Sequence, residues 1–284
     1  MVSIAVIHII AYCVIALSFA GEKIIPVIKN FTTSVSTIRV LTLTMLLHFT
    51  AIAYSQNADS TKQLIHFTGS AGITNNGISV VPTFTFDKPA AVFLMSVGKN
   101  RLTFEPDVRF SLDIKRSGVA LWWRYKVLMN GKFRLSTGAH PAMNLTFISD
   151  SVKKGFRAAM QAQWFLGGEV VPSYIISKNV SAGIYYLYAH GLQQDGPGNV
   201  HYVTVNSNFS NIKISRQLFL QWIPQLFYLN IDKKDGIYFT STATLLKRNF
   251  PLSLQSIINK TIKSTIPGNK DFVWNVTLVY SFKG

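Results

Sequence analysis

Ser136 and His140 place a hydroxyl and an imidazole on one face of a segment whose polarity alternates. Such a pair can serve nucleophilic catalysis when the imidazole takes the hydroxyl proton. Four residues of extended chain separate them by about 13 Å, too far for direct transfer. His66, His140, His190 and His201 show no spacing that a metal demands. Cys13 is the sole cysteine, so neither an internal disulfide nor a cysteine-based metal site can form. Glycine-rich phosphate loops are absent, and Gly167-Gly168 reads as a turn. The expectation is a chain with no catalytic residue, no metal and no cofactor.

A denser group of ionisable side chains lies in RLTFEPDVRFSLDIKR, Arg101 to Arg116. Glu105, Asp107, Arg109, Asp113 and Lys115 alternate with Phe104, Pro106, Val108, Phe110, Leu112 and Ile114. An extended strand here has one charged face and one apolar face. The next segments continue the pattern. Trp122, Arg124 and Lys126 share a face, then Lys132, Arg134, Ser136 and His140, then Arg157, Gln161 and Gln163. If these strands are neighbours, carboxylates on one meet cations on the next at about 5 Å. Unpaired burial of such charges costs several kcal/mol each, so a paired network inside a polar lumen is the consistent arrangement. The expected lumen network is Glu105, Asp107, Arg109, Asp113, Arg124, Lys126, Arg134, His140 and Arg157.

The elements that position these residues have period two throughout. Segments of about ten residues recur from Leu64 onward, bounded by turn residues. Strands are expected at 78–86, 156–167, 170–178 and 212–231, among others, and also at 252–263 despite a partial helical stripe. Gly98-Lys99-Asn100, Arg116-Ser117-Gly118, Asn130-Gly131 and Asp235-Gly236 carry turn chemistry. The 284 residues carry a net charge of +16 with 14% charged residues, but no Lys/Arg-rich block or zinc-finger spacing, so nucleic acid is not an expected partner.

Residues 1–55 read as a leader segment with an apolar helix. Val2 to Ala20 is apolar. A second apolar run, Val40 to Ile52, ends in Ala53-Tyr54-Ser55, with small residues where a signal peptidase inspects. Cleavage after Ser55 leaves residues 56–284 as a single exported, cysteine-free domain.

The last segment, FVWNVTLVYSF, sets Phe272, Trp274, Val276, Leu278, Tyr280 and Phe282 on one face and Asn275, Thr277 and Ser281 on the other. It resembles the C-terminal assembly signal of Gram-negative outer-membrane β-barrel proteins in Leu278, Tyr280 and Phe282. Lys283-Gly284 follow the last aromatic, where such proteins commonly stop. Aromatics near expected strand ends (Phe104, Tyr125, Trp164, Trp222, Tyr238, Trp274, Tyr280) suit interfacial girdles. The resemblance implies an all-β, antiparallel transmembrane β-barrel in the outer membrane, and the number of period-two segments makes it about 12 strands with a range of 10–14. It also implies contact with outer-membrane lipid and lipopolysaccharide, and handling by the barrel-assembly machinery. Some barrels of this group are lipid hydrolases with a His-x-Ser-Asn stretch. Here His190-Gly191-Leu192 puts leucine at the nucleophile position, where no hydroxyl is available. The expected function is a narrow, charged-lumen passage or structural barrel, porin-like, for small anionic solutes. The alternatives are an outer-membrane lipid-modifying hydrolase and a soluble periplasmic β-sandwich that binds a ligand.

Overall fold

A computed structural model describes residues 65–150, 157–194 and 196–283, with the side chains of 148–150 and 157–159 excepted. The expected leader and its cleavage site lie outside the described residues. Twelve strands follow in chain order: β1 (His66–Thr74), β2 (Ala90–Lys99), β3 (Leu102–Ser111), β4 (Arg116–Leu128), β5 (Phe133–Asp150), β6 (Arg157–Ser177), β7 (Val180–Gly191), β8 (Asn199–Lys213), β9 (Leu218–Ile231), β10 (Lys234–Lys247), β11 (Leu252–Ser264) and β12 (Phe272–Lys283). Each pairs antiparallel with its neighbour in sequence, and β12 closes on β1. The result is one closed barrel, not the two packed sheets of a sandwich.

The alternation of the sequence becomes the two sides of this wall. On β12, Phe272, Trp274, Leu278 and Tyr280 are exposed on the outside, while Val273, Asn275 and Thr277 are buried inside. The same inversion runs through β7, where Ile184, Tyr186 and Tyr188 face out and Leu187 and Ala189 face in. An apolar exterior around an enclosed interior is stable only in lipid, and closure leaves no unpaired strand edge there. Leu278, Tyr280 and Phe282 form the closing seam opposite Ile73, Ala71 and Gly69. A Cβ on Gly69 would stand 2.5 Å from the Phe282 ring, so the glycine makes room for the terminal aromatic across β1.

Several expected boundaries move. Gly167-Gly168 is not a turn: β6 runs straight through it. The 212–231 segment divides into β8 and β9. Arg116-Ser117-Gly118 and Asp235-Gly236 belong to strands, and the chain reverses just before each, with Ile114 (φ 58) and Asp232 (φ 54) in the left-handed region. Tyr238 is wholly buried in the interior, so it is not a girdle residue.

The two ends of the barrel differ. Residues 100–101, 129–132, 178–179, 214–217 and 248–251 make short turns at one end, called here the turn end. The other, the loop end, carries the longest described connection, residues 75–89. The expected wall strand 78–86 is part of that connection. It forms a miniature hairpin, with an Ile78–Thr85 bridge and bonds from Ser79 N to Phe84 O (2.8 Å) and Phe86 N to Gly77 O (2.7 Å). Its tip folds into the barrel interior, where Val80, Val81 and Phe84 pack against a cluster that includes Trp122, Leu187, Tyr202 and Phe227.

Candidate functional site

The lumen is the candidate site, and Arg124 stands at its centre. The β3–β4 register sets Arg124 opposite Thr103 and Trp122 opposite Glu105, so the guanidinium reaches Glu105 diagonally. On the other side, Arg124 pairs with Gly138 of β5, and Gly138 pairs with Glu169 of β6. Gly138 is the reason these two strands can be bridged. A Cβ there would lie 2.9 Å from Glu169 Oε1 and 3.1 Å from Arg124 Cγ. Across the glycine, Arg124 Nε donates to Glu169 Oε1 at 2.5 Å and Nη2 donates to Oε2 at 3.2 Å. Nη1 donates to Glu105 Oε2. Tyr185 Oη donates to Glu169 Oε2 at 2.7 Å, and Thr103 Oγ1 to Glu105 Oε1 at 2.9 Å. The guanidinium also lies 4.4 Å over the Trp122 ring, which stacks at 3.6 Å on His140. Charge-assisted, multidentate bonds of this kind hold a guanidinium in one orientation.

A second ion pair anchors the inserted hairpin. Arg109 Nε and Nη2 donate to the two carboxylate oxygens of Asp107, each at 2.7 Å, and Nη1 donates to Ile78 O at 2.6 Å. Thr83 Oγ1 donates to Asn269 Oδ1 at 2.8 Å, tying the tip to the β11–β12 loop. The hairpin covers an aromatic line that climbs four strands: Tyr185 to Tyr202 (5.9 Å between centroids), Tyr202 to Phe227 (5.1 Å) and Phe227 to Tyr238 (4.7 Å). The lumen therefore has its charged cluster on β3–β6, whereas on β7–β10 the aromatic line under the hairpin gives way to uncharged polar side chains, among them Thr204, Asn206, Gln221, Gln225 and Thr240.

At the hairpin base, Lys270 Nζ meets Asp87 Oδ1 at 2.5 Å. Partial burial pushes the Asp87 carboxyl up, but bonds from Lys270 and Thr85 outweigh it and hold the group below its ordinary 3.8. A carboxylate lowered in the folded state stabilises it above the unfolded value and loses that contribution as pH falls through the folded one. Acidification below about pH 3.8 is expected to loosen the hairpin base and raise channel noise in bilayer recordings, whereas Lys270→Gln flattens that dependence. The effect is small, since both side chains are about half exposed.

The other residues expected in the network are placed as follows. His140 is buried in the lumen. Lys126 faces the lumen near the turn end, and Arg134 is exposed at that rim. Asp113 is not in the lumen. It sits in the β3–β4 turn, where Ser111 Oγ (2.6 Å) and Lys115 N (3.2 Å) bond to it and hold its carboxyl below the usual value. Arg157 opens β6 opposite Asp150, and its side chain lies outside the described residues. Glu169 and Tyr185 are the residues that sequence reasoning missed. Reading Gly167-Gly168 as a turn removed Glu169 from the face it shares with Gln161 and Gln163; following the period of two across the glycines recovers it. His190 lies on the outer surface and meets Asn199 Oδ1 at 3.2 Å through Nδ1, with Tyr188 Oη on the same oxygen at 2.8 Å. No group of three or more metal-binding side chains occurs among the described residues.

No family model matches the sequence, and no curated protein matches it. Among solved structures the chain is similar to a KdgM porin, at 10% identity over 76% of this chain and 99% of that one, with a TM-score of 0.47. It is similar to the β domain of the Bordetella autotransporter Brka, at 9% identity over 78% of this chain and 99% of that one, with a TM-score of 0.41. It is also similar to OmpT, an outer membrane protein of Vibrio cholerae, at 10% identity over 80% of this chain and 100% of that one, with a TM-score of 0.35. Likenesses of this size say nothing about a site or a solute. The closed, even-stranded antiparallel wall with an apolar exterior makes this chain an outer-membrane β-barrel.

Proposed function

We propose that the barrel is a narrow passage for small anionic solutes, constricted by its own inserted hairpin, and not an enzyme. The observation that carries this reading is a series of three cavities along the lumen. A mouth of about 730 Å³ at the turn end reaches Leu94, Met95 and Glu105. A second space of about 420 Å³ shares those three residues and continues to Arg124 and Tyr185. A third, of about 290 Å³, shares Val80, Asp107, Arg109 and Trp122 with the second and is bounded by the hairpin. Small spaces joined at charged side chains suit a small, hydrated solute better than a bulky one.

Glu105, Asp107 and Glu169 outnumber Arg109 and Arg124 by one charge, so the constriction itself gives an anion no advantage. Anion preference therefore has to arise at the mouth, where Lys126 faces inward and Arg134 lies at the rim, neither in an ion pair among the described residues. A ring of one sign raises the local concentration of the opposite ion without a binding site. Reversal potentials in planar bilayers under a salt gradient test this. Anion selectivity that falls in Lys126→Gln/Arg134→Gln supports the reading. Cation selectivity removes the anionic solute, and no conductance at all leaves a structural barrel.

A further inference from the structure

The basic excess is not spread evenly over the barrel. At the turn end, Lys99 and Arg101 border the β2–β3 turn, Lys132 and Arg134 border β4–β5, and Lys178 lies in β6–β7. Lys213 and Arg216 border β8–β9, Lys247 and Arg248 border β10–β11, and Lys283 ends β12. Every hairpin of this end thus carries a cation, and no Asp or Glu accompanies them among the described residues. The nearest carboxylate, Glu105, is already held by Arg124. The loop end is different: its cations alternate with Asp87, Asp113, Asp232, Asp235 and Asp271, and Lys270 is bonded to Asp87.

These cations sit a few residues from large apolar side chains exposed on the outer wall. Phe133 lies between Lys132 and Arg134, Ile176 precedes Lys178, Ile214 precedes Arg216, and Tyr280 precedes Lys283. Lys247 Nζ stands 5.4 Å from the Phe250 ring centroid, and the Arg248 guanidinium 5.3 Å from that of Phe219. An apolar or aromatic anchor followed by a cation, repeated around the circumference, is the pattern of a lipid interface: rings at the acyl boundary and charges at headgroup depth. A solute in the lumen meets inward-facing cations such as Lys126, whereas the ring continues around the outside.

We propose that this ring docks on the phosphates of anionic phospholipid headgroups in the leaflet at the turn end, which in outer-membrane barrels faces the periplasm. Among the described residues the larger excess lies there, because the loop-end cations are offset in part by five aspartates and the turn-end ones by none, so phospholipid rather than lipopolysaccharide is the partner assigned to this ring. This proposal does not depend on the passage reading.

The full chain is reconstituted in phosphatidylcholine vesicles and in vesicles that also contain about one-third phosphatidylglycerol, enough to give a negative surface potential. Unfolding in denaturant is expected to be about tenfold slower with phosphatidylglycerol, and high salt should erase the difference. Lys132→Gln/Lys178→Gln/Arg216→Gln/Arg248→Gln should lose the slowing. Lys115→Gln/Lys233→Gln/Lys234→Gln/Lys263→Gln, the same number of loop-end cations, should keep it. Equal loss in both variants, or a wild-type chain indifferent to phosphatidylglycerol, overturns the proposal. So does inorganic phosphate that reproduces the slowing in phosphatidylcholine alone, because the source is then not a lipid. Should the turn-end variant fail to assemble, native mass spectrometry of the wild-type barrel extracted from the mixed vesicles decides the matter. Enriched phosphatidylglycerol supports the docking, and lipid carried at the bulk ratio rejects it.

Discussion

Glu169→Ala is expected to destabilise the barrel by about 3–5 kcal/mol, the range for a buried ion pair that loses one partner. The Glu169 side chain is 0% exposed, whereas Arg124 and Glu105 keep 29% and 27% of their side-chain surface. Removing Glu169 takes away two bonds from Arg124 and one from Tyr185 at once, and Glu105 alone cannot replace them. Glu105→Ala should cost only about 1 kcal/mol, since its partner keeps Glu169 and water reaches the site. Replacing all three members, as Glu105→Gln/Arg124→Met/Glu169→Leu, should recover most of the loss, because no unpaired charge of this cluster is then left in the wall. Urea unfolding in detergent micelles, followed by the heat-dependent gel shift of the folded barrel, ranks the variants. The central role given to Glu169 fails if Glu105→Ala proves the more damaging substitution.

The same residue shows how far the sequence could be read. Period-two patterning gave the strand type and the two faces, because each strand carries that information in its own residues, whereas the closed wall with its aromatics outward rested on the resemblance of the last strand, together with the leader and the charged faces. Glu169 escaped because two adjacent glycines carry the strongest turn signal available locally. In the fold they do the opposite, serving as clearance in a continuing strand: a Cβ on Gly167 would fall 2.4 Å from the His140 ring. The β8–β9 turn was hidden for the converse reason. Ile214-Ser215-Arg216-Gln217 contains no glycine or asparagine, and the reversal is made by Ser215 Oγ accepting from Gln217 N (3.4 Å) and Leu218 N (3.2 Å). Ile114 with φ 58 is likewise a β-branched residue where local rules place glycine or asparagine. The hairpin at 77–86 was legible as extended chain but not as an insertion. Its position depends on Arg109, Asn269 and the Tyr202–Phe227 surface, which are distant in sequence and signalled by nothing in the segment itself.

That insertion carries the other large effect. Replacing Ser79–Thr85 by a short Gly-Ser link is expected to raise single-channel conductance several-fold while leaving the barrel closed. The wall does not depend on the segment, because the β1–β2 ladder runs from His66–Gly98 to Thr74–Ala90 without it. What the hairpin contributes is occlusion: Val80 lines both the second and the third lumen cavities, so its removal is expected to widen the connection between them. Arg109→Ala should open the passage less, since it breaks the bond to Ile78 O but leaves the apolar tip on Trp122 and Phe227. It also leaves Asp107 without its partner, so selectivity should move toward cations as conductance rises. The excised variant should be less stable as well, because Tyr202, Phe227 and Tyr238 then face water in the lumen, at about 1.5–3 kcal/mol for each large side chain fully uncovered. Conductance in the excised variant equal to that of the wild type would locate the constriction at the Arg124–Glu169 bridge instead, and the hairpin would then be packing for the aromatic cluster of the lumen.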